Sequence, residues 1–371
     1  MNSPSRRDFL RSGGAFLATG ALGIAAPLEG PPAAKPEPKP LKPPAPAAGP
    51  YADAVFVEGP PPLPAKGAFT IAVLPDTQYY QGANAAGFAA QTQWIVDQKA
   101  ARNIAAVLHL GDVTNDNLPV QWENAARSMR LLDGVVPYFM VPGNHDYSKN
   151  GGSIDRTSLF SQYFPTTAFA RLPTCGGFYD KEPERIENSY HLFAAEGRKF
   201  IVLCLEFGPR MDVLRWANEI VSRHHDRDAI LVTHAYTYSD NTRYDFVKYG
   251  NKQTWNPHTF GLAAASNDDV TDGQQLWDLL VSKHPNFIFT INGHVVNDGL
   301  GRLTTADPGG RDVHQMLVNF QMKPNGGDGW LRLLELRTDG SMHVHDYSPT
   351  RNQTNASVKN QFIVQLAAHH A

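Results

Sequence analysis

The chain has 371 residues, 42% of them hydrophobic, and a formal net charge of -3, the make-up of a soluble globular protein. A slightly acidic balance offers no basic surface for a nucleic-acid polymer or an anionic membrane, so both are excluded as expected partners.

In chain order, the first signal is Ser5-Arg6-Arg7-Asp8-Phe9-Leu10, followed by the apolar Gly/Ala-rich run Gly13 to Ala26. This pattern resembles a twin-arginine export signal over residues 1–26, and 14 apolar residues fall short of the ~20 needed for a spanning helix. A periplasmic or secreted protein with no membrane anchor after signal removal is therefore expected. Between Pro27 and Pro64 lie 14 of the chain's 28 prolines, a composition that favours extended polyproline conformations. Residues 27–66 accordingly read as a linker, and 67–371 as one domain.

From Phe69 onward, short apolar runs alternate with segments of helical period, the pattern of an α/β domain. Strands are predicted at Phe69 to Leu74, Ala105 to Leu110, Val135 to Val141, Phe200 to Leu205, Ala229 to Thr233 and Phe287 to Ile291. Helices are predicted at Ala89 to Ala101, Val120 to Leu132, Val213 to Arg223 and Gly273 to Lys283. Beyond Ile291 the pattern becomes all-strand, at 313–321, 330–337 and 341–347, with Asp339-Gly340 as a hairpin turn. The two cysteines differ in setting: Cys175 lies in a Gly-rich stretch, Cys204 inside an apolar run. Export would permit a bridge, but a buried strand thiol is the simpler reading of Cys204.

Five of the runs end in a residue able to bind a metal: Asp76, Asp112, Asn144-His145, His234 and His294. In open α/β sheets ligands bind outside the carboxyl ends of the strands, so five such ends can meet in one crevice although they are spread along the chain. His109 lies inside its run, where strand alternation turns it from the rim, and reads as structural. His343 and His345 share one face of a predicted strand and could bind a metal, though an exposed sheet face is the plainer reading. Glu206, at the end of another run, could reach the site or end a strand at the surface.

Asp76-x-Gln78, Gly111-Asp112-x-x-Asn115, Gly143-Asn144-His145-Asp146, Thr233-His234 and Gly293-His294 resemble, in order, the five sequence blocks of the calcineurin-like metallophosphoesterases. The resemblance implies an α/β sandwich of two mixed β-sheets flanked by helices, two divalent metal ions (Mn, Fe, Zn or Mg), and hydrolysis of phosphate esters by a metal-bound hydroxide. It assigns Asp76, Gln78 and Asp112 to a first metal, and Asp112, Asn144, His234 and His294 to a second. His145 would face the substrate and Asp146 would orient its imidazole. The residue types suit such a site, because a carboxylate such as Asp112 can bridge two cations, and two metals ~3.5–4 Å apart can clamp a phosphoryl group.

Two positions depart from the pattern: Gln78 stands where Asp-x-His is usual, and Val296 where Gly-His-x-His is usual. Both fall on the first metal, leaving it mainly oxygen-lined and more weakly occupied; replacement ligands could come from Asn297, Asp298 or His314, and spacing does not choose among them. A serine hydrolase is disfavoured, since no Gly-x-Ser-x-Gly elbow occurs. The competing expectation is a non-catalytic exported binding protein with a degenerate site. The substrate class expected is a small phosphate ester; monoester, diester, nucleotide, lipid and cell-wall phosphate all stay open. The rim-wall candidates are the Lys149 to Glu187 insert and the segment from Thr237 to Asp269.

Overall fold

The computed structural model describes residues 49–367. The twin-arginine segment and residues 27–48 of the proline-rich stretch lie outside the described residues. Two mixed β-sheets face each other. The first runs in the order β1 (Phe56–Glu58), β14 (Gln353–Asn355), β13 (Ser341–Ser348), β12 (Leu331–Leu336), β2 (Phe69–Leu74), β3 (Ile104–His109) and β4 (Tyr138–Met140), with β15 (Gln361–Gln365) also pairing with β13. The second runs β10 (Leu300–Ala306), β11 (Asp312–Val318), β9 (Phe287–Asn292), β8 (Asp228–Thr233), β7 (Arg198–Leu205), β6 (Ser189–Ala195) and β5 (Cys175–Phe178).

Each sheet has a parallel half. β2, β3 and β4 run parallel in the first, as do β7, β8, β9 and β11 in the second. These strands are near-continuous apolar runs because both of their faces are covered. Alternate residues meet between the sheets, where Ile71, Val73, Leu108 and Phe139 pack with Val202, Cys204, Val232 and Ile291. The opposite face of the first sheet, including Ala72, Leu74 and Val107, is covered by α1 (Ala86–Gln98) and α2 (Pro119–Met129). Helices Met211–Arg223 and Gly273–Leu279 cover the second sheet in the same way.

The predicted strands from Phe69 to Ile291 all form, some with shorter bounds. The largest trim falls on Val135–Val141, where the strand begins at Tyr138 because the N–H groups of Val135 and Val136 close a turn onto the Leu132 carbonyl. The Asp339-Gly340 hairpin turn is present, with Gly340 at φ +81°. Cys175 sits in β5 rather than a loop, and both cysteines are free.

The linker boundary is corrected. Phe56–Glu58 pairs antiparallel with β14, and Tyr51 and Phe56 pack against Trp330. The carbonyls of Pro61 and Pro62 accept the Arg102 guanidinium. Proline lacks an N–H but keeps its carbonyl, so a proline-rich segment can run along the outside of a fold as an acceptor. Among the described residues no helix is long and apolar enough to cross a membrane.

Candidate metal centre

The carboxyl ends of both parallel halves open on one crevice. From the first sheet, the segments after β2, β3 and β4 deliver Asp76 and Gln78, Asp112, and Asn144 with His145. From the second, the segments after β8, β9 and β11 deliver His234, His294 and Asn319. Asp112 and His294 are held at positive φ, +46° and +76°, sparsely populated for residues with a side chain. Two glycines make the close approach possible. A Cβ on Gly143 would lie 2.1 Å from Asp112 Oδ1, and one on Gly293 would lie 2.0 Å from Asp76 Oδ1.

Backbone carbonyls fix the two imidazoles. His234 Nδ1 donates to the Leu110 carbonyl at 2.7 Å, so Nε2 is the nitrogen aimed into the site. His294 Nε2 donates to the Trp255 carbonyl at 2.8 Å, leaving the Nδ1 lone pair, which lies 3.2 Å from His234 Nε2. Asp112 Oδ1 and Asn144 Oδ1 each lie 3.2 Å from the same His234 Nε2. Asp112, His234 and His294 are all buried, with ligand atoms within 4.8 Å of one another. A tetrahedral cation with ~2.1 Å arms has ligand-to-ligand edges of about 3.4 Å, so these spacings suit one ion.

The electrostatics support that fit. Burial acts to raise the Asp112 carboxyl, but His234 and His145 outweigh it and hold it well below the ordinary carboxylate range. Burial acts to lower His234, and the Asp112 carboxylate overcomes it, pushing the imidazole up to about 9. Burial pushes Asp76 up to about 8 against the pull of His234, with Asp112 adding to the rise. Two buried carboxylates with no lysine or arginine paired to either among the described residues are an arrangement that a bound cation would stabilise.

Asp76 and Gln78, which the resemblance assigns to a first metal, are both buried near the strand ends. Asp76 accepts the His294 backbone N–H at 3.0 Å and Asn319 Nδ2 at 2.9 Å. Gln78 is buried; its Nε2 donates to Asn115 Oδ1 at 3.3 Å, while its Oε1 is a buried atom with no hydrogen-bond partner. A buried amide oxygen with no partner, two residues along the chain from Asp76, fits an oxygen-preferring cation.

Several expectations are corrected here. Asp146 does not orient the His145 imidazole. Its carboxylate accepts the N–H groups of Val113, Thr114 and Gly143 and the Thr114 hydroxyl, fastening the loop after β3 to the loop after β4. The group that holds His145 is the Asn115 carbonyl, 2.8 Å from Nδ1. The three replacement candidates are engaged elsewhere. Asn297 donates to Ser239, Asp298 pairs with Lys359, and His314 bonds Thr304 and the Gln365 carbonyl. Asn319 belongs to no motif and falls inside the apolar run 313–321; only the parallel pairing of β11 with β9 brings it to Asp76. The Trp255 carbonyl leaves no side-chain signal at all.

His109 is structural as read, bonded to Thr77 and the Gly111 N–H beneath the site. Glu206 reaches neither site nor surface; it is buried and paired with Arg156 and Arg210. Four tyrosines follow the candidate ligands closely in sequence: Tyr80, Tyr236 and Tyr238 are buried in the core, and Tyr79 is exposed.

The family model described as "Calcineurin-like phosphoesterase" matches residues 69–298. The chain belongs to the calcineurin-like phosphoesterase family. Its two mixed sheets with flanking helices are the metallophosphoesterase sandwich. The chain is 31% identical over 294 residues to "Uncharacterized protein YvnB" of Bacillus subtilis (strain 168), a match covering 77% of this chain and 20% of that protein. The chain thus spans about a fifth of that relative's length. Among solved structures, the purple acid phosphatase PPD1 of yellow lupin (Lupinus luteus) is similar at a TM-score of 0.47 and 14% identity, over 82% of this chain and 55% of the other. A 5'-nucleotidase precursor from Thermus thermophilus is similar at 0.39 and 13%, over 81% and 55%.

Proposed function

We propose that this calcineurin-like phosphoesterase is an exported, metal-dependent hydrolase of small phosphate esters. The observation carrying this reading is the convergence of Asp112 Oδ1, Asn144 Oδ1 and His294 Nδ1 on His234 Nε2 at 3.2 Å each. Asp112, Asn144, His234 and His294 would hold one divalent ion, and Asp76, Gln78 and Asp112 a second. When bound, the ions neutralise phosphoryl oxygens and activate water for attack.

The chain's own residues do the rest. His234 and His294 each tie one ring nitrogen to a backbone carbonyl, so the other already faces the site, and His234, held up to about 9 beside Asp112, would release the proton on Nε2 when an ion binds. Asn319 and the His294 N–H hold Asp76 in place. Asp112 accepts the His145 backbone N–H at 2.9 Å, which ties the turn carrying His145 to the bridging carboxylate. With Nδ1 anchored on Asn115, His145 has Nε2 as the nitrogen that exchanges a proton, and its assigned role is to donate that proton to a phosphoryl or leaving-group oxygen. Export is proposed from the Arg6-Arg7 segment and the apolar run after it.

The test is hydrolysis of a chromogenic phosphodiester and the matching monoester by the full chain with Mn²⁺, beside His294→Ala. Turnover abolished in the variant supports the enzyme, and the ratio of the two rates separates diesterase from monoesterase. No turnover with any divalent ion supports the degenerate binding protein, which the all-oxygen first site would then explain.

A further inference from the structure

A second group of ligand-type side chains lies on the outer face of the first sheet. β12 and β13 are antiparallel, with Glu335 directly opposite His343. Met342 and Val344 point into the core between the sheets, so His343 and His345 project from the other face, as strand alternation requires. Glu335 also pairs with Thr70 at the start of β2, the end of the strand away from Asp76. The cluster is therefore separate from the crevice.

Glu335, His343 and His345 each offer a ligand atom, all within 4.8 Å of one another. Nδ1 of His345 is buried and has no hydrogen-bond partner, a rare state for a polar atom in a folded protein. Glu335 is pre-positioned: Oε1 accepts the Ala65 N–H at 2.9 Å and Arg337 Nε at 2.8 Å, and Oε2 accepts Arg337 Nη2 at 3.3 Å. A carboxylate has about four lone-pair sites, so one stays available. Both imidazoles are half-buried, which leaves a route in from solvent.

We propose that Glu335, His343 and His345 form a second cation site, outside the catalytic crevice, for one borderline divalent ion of the Zn²⁺ type. Two imidazole nitrogens select such an ion over Mg²⁺ or Ca²⁺, and water completes its coordination. The half-buried rings need only small rotations to draw ligand atoms to edges of about 3.4 Å. The ion would tie β12 to β13 and, through Glu335, to the segment at Ala65.

The experiment is equilibrium dialysis of the metal-stripped full chain against Zn²⁺ alone, with melting curves, for wild type, the double variant His343→Gln/His345→Gln, and His294→Ala. The double variant is expected to lose one equivalent of zinc and part of the zinc-induced rise in melting temperature, with Mn²⁺-supported ester hydrolysis unchanged. His294→Ala is expected to retain that equivalent. Equal zinc in the double variant and wild type overturns the site. If the double variant does not fold, His294→Ala decides alone: no zinc bound by it also overturns the site.

Discussion

Asn319 and Asp146 show how residues beside a ligand set can act in opposite ways. Asn319 donates to one carboxylate oxygen of Asp76, the residue proposed to hold the first metal. Asn319→Ala is expected to weaken metal affinity or activity about 10–100-fold, the usual effect of removing a group that orients a ligand, and to lower stability by about 1–2 kcal/mol, because Asn319 Oδ1 also accepts the buried Gln321 N–H. Metal titration monitored by turnover measures it. Asp146 instead accepts four hydrogen bonds within the protein, so Asp146→Ala leaves buried donors without acceptors and is expected to destabilise the fold by about 3 kcal/mol or more. Urea unfolding reads this directly; a variant as stable as wild type but inactive would restore the role beside His145. Gln78→His supplies the nitrogen that the first position lacks, and is expected to raise zinc affinity there about tenfold over wild type by metal analysis.

Among the elements, the edge strand β1 matters most for handling the protein. It closes the side of β14, and the aromatic cluster of Tyr51, Phe56 and Trp330 seals that end of the sheet core. Starting the chain at residue 67, where composition places the domain boundary, removes that cover and exposes Trp330. The loss is expected to be on the order of 3 kcal/mol, the transfer value of one or two aromatic side chains. Comparing melting curves for fragments that begin at 49 and at 67 tests it. The misreading has a physical source: proline content reports the missing N–H groups, whereas one tyrosine and one phenylalanine decide whether the segment docks.

On the scale of the whole molecule, the two sheets meet through groups that must stay uncharged. His191 of β6 is buried, stacked on Phe139 of β4 at 4.4 Å, and burial pushes its imidazole down to about 3. Its unfolded value is near 6.5, so between those two values the unfolded chain binds the extra proton. Stability is therefore present above pH 6.5 and falls by up to about 1.4 kcal/mol per unit as the pH drops toward 3. His191→Leu is expected to flatten that slope in unfolding experiments between pH 6.5 and 4; an unchanged slope would mean that His191 is not the group responsible.

Much of this molecule was legible one residue at a time. The apolar runs determined the parallel strands, because a strand covered on both faces needs continuous apolar character. The polar residues following those runs named Asp76, Asp112, Asn144, His145, His234 and His294, because parallel strands put their carboxyl ends on one side. Tertiary structure alone decided which atoms hold those ligands. The carbonyls of Leu110, Trp255 and Asn115 set the ring tautomers, and a backbone carbonyl carries no residue-specific mark in the sequence. It also decided that Asn319, rather than Asn297, Asp298 or His314, lies on Asp76, because neighbours across a sheet depend on strand order, and strand order is fixed only when the whole core closes.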